Sequence, residues 1–103
     1  AELRVADLRL LRDELDVAHH LVAAQAADEL LNISGVDASI VVAPDGNGGS
    51  FASARSIGEL NVQLIMEKVG GGGNRSAAAA QFAGTDVNTA VKRIYAAIDD
   101  YLG

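Results

Sequence analysis

Four consecutive glycines, Gly70 to Gly73, follow directly on a strongly patterned helix. Val62, Ile65, Met66 and Val69 stand at i, i+3, i+4 and i+7, the spacing that gathers apolar side chains on one helix face. Asn61 precedes that stripe, where a side-chain oxygen can accept from a free backbone N–H of the first turn. The glycines cannot continue the helix, because glycine gives up more backbone freedom on ordering than any other residue. The chain must therefore set down a core-facing helix, stop it abruptly, and go on with backbone bare enough to approach a neighbour or a ligand closely.

The segments around this feature alternate between strand and helix. Ala38–Ala43 is a short β-branched run that reads as a buried strand. The turn-rich stretch from Pro44 to Gly49 follows, and Ser50–Arg55 alternates like the returning strand of a hairpin. Ala77–Phe82 reads as a further strand. A last helix is expected from Thr85 or Asp86, with Val87, Val91, Ile94, Ile98 and Leu102 on its core face. Nearer the N-terminus, the spacing predicts a helix from about Asp16 to Ile33, with Ala23, Ala27, Leu30 and Leu31 on one face and Gly35 as its left-handed stop. Residues 1–20 carry two periods at once: Leu3, Val5, Leu8 and Leu10 alternate in part, while Leu8, Leu11 and Leu15 repeat helically. The expected fold is α/β (α+β), a single domain with a mixed central β-sheet and helices packed on it.

At 103 residues and 50% hydrophobic, the chain can build one core but not a core plus a separate catalytic domain. With no cysteine, a disulfide or a thiolate metal site is excluded. The formal charge of −6 argues against a protein that coats duplex nucleic acid, which needs a broad basic surface. A small anion needs only two or three local positive groups and stays open. No apolar run approaches the roughly 20 residues that span a bilayer, and no signal-peptide pattern opens the sequence, so a cytoplasmic domain without direct membrane contact is expected.

Two places suit an anion. In Gly70–Gly73 followed by Asn74 and Arg75, consecutive N–H groups can form a concavity, and the Arg75 guanidinium could add a charge-assisted bond worth roughly 1.5–3 kcal/mol. The same loop reads equally well as a plain connector between helix and strand. Arg55, at the end of its strand, could project a planar fork over the sheet edge, or be an ordinary exposed arginine. A metal site at His19 and His20 is rejected, because adjacent helical residues point about 100° apart. Asp28-Glu29 and Asp99-Asp100 read as solvated helix faces, and no residue stands out as a catalyst.

The stretch from Ser53 through Arg55, Ser56, Asn61-Val-Gln63 and Ile65-Met-Glu67 into Gly70–Gly73 resembles the type-one DHH-associated domain of DHH-family phosphoesterases, in particular cyclic-di-AMP phosphodiesterases. Ala26–Leu31, Ser34–Val36, Ala78, Ala79, Gln81 and Ile98–Tyr101 extend the likeness over roughly residues 22 to 102. The resemblance implies that the whole of 1–103 is a substrate-binding domain. Its partner would be a catalytic DHH domain, absent from this chain, which holds two Mn ions; no cofactor is implied here. It further implies that Arg55 contacts phosphate with Ser53 and Ser56 beside it, that Gly71, Gly72 and Gly73 line a nucleotide, and that Asn74 and Arg75 adjoin it. Asn74 stands where the family carries a histidine, and an amide cannot carry the charge of an imidazolium. The implied parent hydrolyses cyclic-di-AMP to the linear dinucleotide and is membrane-anchored with this domain facing the cytoplasm. Other readings are a domain for short oligoribonucleotides or bisphosphate nucleotides, a non-catalytic nucleic-acid-binding module, or a self-association module forming a homodimer through its apolar N-terminal segment.

Overall fold

The computed structural model describes residues 2–15 and 22–103. Its elements in chain order are β1 (Glu2–Asp7), α1 (Leu8–Leu15), α2 (Ala23–Leu30), β2 (Val36–Pro44), β3 (Ser50–Ser56), α3 (Val62–Glu67), β4 (Gly72–Gly73), β5 (Ala77–Phe82) and α4 (Val87–Leu102). The strands form one sheet in the order β1-β2-β3-β5-β4, with β1 parallel to β2 and every other pair antiparallel. The mixed α/β architecture expected from the sequence is the one observed.

Strand alternation sends successive side chains to opposite faces, and here it builds two different layers. On one face, Ile40 and Val42 of β2, Ala52 and Ala54 of β3, and Ala78, Ala80 and Phe82 of β5 are buried. They pack against Val62, Ile65, Met66 and Val69 of the α3 region and against Val87, Ala90, Ile94, Ala97 and Ile98 of α4. On the other face, Val41 and Ala43 pack with Leu8 and Leu11 of α1 and with Ala23, Ala26, Ala27 and Leu30 of α2. Alanine lets α2 sit close to the sheet, close enough for the buried Ser39 hydroxyl to donate to the Ala27 carbonyl at 2.7 Å.

The α3 stripe is wholly buried, and Asn61 caps it as expected, its Oδ1 accepting from Leu64 N at 3.3 Å. Asn61 N in turn donates to the Tyr101 hydroxyl at 3.0 Å, tying the start of α3 to the end of α4. Residues 2–15 resolve both periods seen in the sequence: β1 runs straight into α1 with no intervening turn, and Leu8 and Leu11 are buried while Leu10 is exposed.

Three expectations need correction. The helix predicted from about Asp16 to Ile33 appears as α2, which ends at Leu30; Leu31, Asn32 and Ile33 each donate to the carbonyl three residues back, so the last turn tightens before Gly35 at φ 91°. The α2 core face uses Ala26 rather than Leu31, which lies beyond the helix end. In α4, Leu102 is 66% exposed, and Ala90 and Ala97 complete the buried face instead. The start predicted at Asp16, together with His19 and His20, lies outside the described residues, but a helix continuous to Ile33 is excluded at Val22, whose extended backbone (φ −93°, ψ 164°) precedes α2. Among the described residues, no helix is long and apolar enough to cross a membrane.

Asp86 caps α4, accepting from Thr89 N at 2.7 Å. The backbone and side-chain hydrogen bonds from Thr89 hold its carboxyl below the usual aspartate range. A carboxyl lowered by folding stabilises the protein above its unfolded value, near pH 4, and that contribution disappears as pH falls through the lowered folded value. Asp86→Asn keeps an acceptor oxygen but removes the titration. Its urea midpoint is expected to fall less steeply than that of the wild type between about pH 4 and 2; parallel curves would show that the charge on the cap does nothing.

Candidate functional site

The sheet face that carries α1 and α2 is only partly covered. β2 and the near side of β3 lie under α2, but on β5 the side chains of that face, Ala77, Ala79 and Gln81, are half-buried or exposed. The register defines what stands beside what. One row across the sheet is Ser39–Arg55–Ala77, the next Val41–Ser53–Ala79–Gly72, and the third Ala43–Phe51–Gln81. Paired residues share a face, so Ser53, Ala77, Ala79 and Gly72 make a floor of small side chains with Arg55 at one end and Gln81 at the other. A shallow depression of about 390 Å³ runs along its edge, lined by Gly70, Gly71, Gly72, Ala79, Ala80 and Gln81.

Arg55 stands where the covered and open parts of this face meet. Its Nε lies 3.2 Å from Asp28 Oδ1 of α2, and its Nη1 donates to the Ala54 carbonyl at 2.9 Å. Asp28 is 63% exposed and Arg55 24%, and a pair with one partner this open to water contributes only about 0–1 kcal/mol. β3 is an inner strand, so the guanidinium rises from the sheet face beside α2 rather than over a free sheet edge. Ser53 shares that face and is 8% exposed, and its hydroxyl makes no hydrogen bond among the described residues.

The other candidate residues are placed differently. Ser56, one position on from Arg55, points to the opposite face and exchanges hydrogen bonds with Gly58. Arg75 Nη2 donates to the Glu59 carbonyl at 3.1 Å and reaches Gly58 O at 3.4 Å, so it staples the β3–α3 loop. Asn74 continues the Arg55–Ala77 row through its backbone, with N donating to Ala77 O at 2.8 Å. Its Oδ1 accepts from Ser76 N, Ser76 Oγ and Ala77 N at 2.9–3.1 Å, bracing the turn into β5. Asn74 therefore has a structural task in this chain. Asp28 and Asp100 lie exposed as the sequence suggested, yet both are paired, Asp28 with Arg55 and Asp100 with Lys68.

The four glycines separate into distinct roles. Gly70 has φ 86°, and the bonds Gly71 N to Met66 O and Gly70 N to Glu67 O close α3 in a Schellman ending. A Cβ on Gly71 would lie 2.1 Å from the Ala79 carbonyl oxygen, and one on Gly73 2.4 Å from that of Ala77. These two are glycine because β4 runs too close to β5 for any side chain. Gly72 has an ordinary φ and open space around a built Cβ, so nothing in the chain itself demands glycine there. It faces the floor.

Sheet, helices and half-open face together are those of an α/β domain carried by phosphoesterases of the DHH type. More particularly, residues 8–102 match the DHHA1 domain, and the chain belongs to that family. It is 47% identical over 89 residues to the cyclic-di-AMP phosphodiesterase GdpP of Geobacillus thermodenitrificans and 43% identical over 97 residues to that of Bacillus subtilis. It is also 49% identical over 83 residues to the cyclic-di-AMP phosphodiesterase PdeA of Listeria monocytogenes. These alignments cover 86%, 94% and 79% of this chain but only 14%, 15% and 12% of those proteins. Among solved structures, an exopolyphosphatase-related protein of Bacteroides fragilis superposes with a TM-score of 0.66 at 25% identity, covering 96% of this chain and 28% of that one.

The glycine roles make a separable prediction. Gly71→Ala and Gly73→Ala force β4 away from β5 and should each lower stability by about 1–3 kcal/mol, as overpacking does. Gly72→Ala should leave the denaturation midpoint nearly unchanged. Chemical denaturation of the three variants decides it, and equal losses at all three positions would contradict the assignment.

Proposed function

We propose that this domain holds the nucleotide for a DHH-family phosphodiesterase whose other domain performs the chemistry, the reaction being hydrolysis of cyclic-di-AMP to the linear dinucleotide. The carrying observation is Arg55 poised beside a floor of small side chains, with an unbonded Ser53 hydroxyl and a Gly72 that packing does not require. Identity of 43–49% to proteins named as cyclic-di-AMP phosphodiesterases supports the choice of substrate.

In this reading the residues of the chain bind and orient. The Arg55 fork exchanges Asp28 for a phosphate oxygen pair, gaining two parallel N–H···O bonds where it had one ion pair. Ser53 donates its hydroxyl from the neighbouring row. The Ala77 and Ala79 methyls and the bare Gly72 backbone receive the apolar faces of the nucleotide, excluding water from one side. A phosphodiester fixed this way is presented outward, toward whatever packs over the open face. Two Mn ions in the DHH domain would supply an activated water there; among the described residues no group of three or more His, Cys, Asp and Glu could hold a metal. Asn74 contributes loop rigidity instead of positive charge, so phosphate binding falls mainly to Arg55.

Titration of cyclic-di-AMP into the isotope-labelled chain, followed by backbone amide shifts, tests the proposal. Saturable shifts are expected around Ser53, Arg55 and Gly70–Gly73. Arg55→Ala should weaken binding about tenfold or more, the loss of a charge-assisted bidentate contact. Asp28→Asn, which frees the guanidinium, should strengthen it. Unchanged affinity in Arg55→Ala, or weaker binding in Asp28→Asn, would remove the phosphate role from Arg55.

A further inference from the structure

Gln81 has no task inside the fold. It is exposed on β5, its carboxamide makes no hydrogen bond among the described residues, and its cross-strand neighbour Phe51 is an aromatic with nothing to donate or accept. Yet it lines the depression at the β4–β5 edge with Gly70, Gly71, Gly72, Ala79 and Ala80, and by register its side chain shares the face of Arg55. We infer that Gln81 reads the base of the bound nucleotide and selects adenine over guanine; this rests on the nucleotide-holding role proposed above.

The chemistry follows from the side chain. A carboxamide is neutral, so it has no Coulombic claim on phosphate, and it offers a donor and an acceptor side by side. Adenine presents the complementary pair, the N7 acceptor beside the N6 amino donor, whereas guanine presents two acceptors, N7 and O6, on the same edge. A glutamine therefore makes two bonds to adenine there and only one to guanine, with its carbonyl oxygen set against O6. The placement fits as well. Ala77, the register partner of Arg55, lies four residues from Gln81 along β5, about 14 Å at the strand rise. Both long side chains can lean inward over the alanine floor, which leaves room for phosphate at one end and a base flat on Ala79 at the other.

The test compares cyclic-di-AMP with cyclic-di-GMP on the wild-type chain and on Gln81→Ala, Gln81→Arg and Arg55→Ala variants, by amide shift titration. Because Gln81 is exposed, its variants are expected to keep the wild-type amide dispersion. The wild type should prefer the adenine ligand by about tenfold, the size of one bidentate base contact. Gln81→Ala should bind both ligands alike, and Gln81→Arg should reverse the order, since two donors match guanine N7 and O6. Full adenine preference in Gln81→Ala overturns the inference and leaves the phosphate role of Arg55 standing. A preference that tracks residue 81 while Arg55→Ala has no effect overturns the phosphate role and keeps the base reading. No shift with either ligand overturns both.

Discussion

The arrangement of this domain depends on how closely β4 approaches β5. A chain that must end α3, reverse, and lay a two-residue strand against β5 has no room for Cβ atoms at Gly71 and Gly73. Gly70 supplies the left-handed residue that closes the helix. The conformational freedom these glycines lose on ordering is offset by a helix whose Val62, Ile65, Met66 and Val69 are all buried against the sheet and α4. With β4 held there, the sheet ends in a bare backbone edge, and the open face gains its shallow depression.

That same closeness separates structure from function within a single motif. A glycine run invites one explanation for all its members, but the surroundings of each Cβ position say otherwise. Three of the four glycines answer to the fold, and neither packing nor backbone conformation requires the fourth, Gly72. Asn74 and Arg75 spend their side-chain polar groups on the loops that hold β4 in place, whereas the Arg55 guanidinium stands on the face itself, beside α2. In the proposed reading, anion binding by a chain of net charge −6 rests on that guanidinium, whose partner Asp28 is an exposed carboxylate.

Much of this was legible in the sequence, because periodicity and capping chemistry are local. The α3 stripe with its Asn61 cap, the β-branched β2, the hairpin into β3 and the Asp86 start of α4 each carry their signal within a few residues. The opening segment was not, since β1 passes into α1 without a turn residue and the two periods overlap at Leu8. At the site, alternation in β3 already separates Ser56 from Ser53 and Arg55, a signal that grouping the residues by motif overlooked. The pairing of Asp28 with Arg55, and the alignment of Gln81 with the glycine edge, depend on how α2 and β5 lie against β3. No local pattern encodes such tertiary proximity.

In the proposed reading, the nucleotide lies on the alanine floor of the open face, between Arg55 and the glycine edge. Intermolecular nuclear Overhauser effects between cyclic-di-AMP and the methyl groups of the chain test it most directly. The account predicts contacts from ribose and base protons to the methyls of Ala77 and Ala79. Contacts confined to methyls elsewhere, such as those of Leu64 or Leu102, would place the ligand on another surface and contradict it.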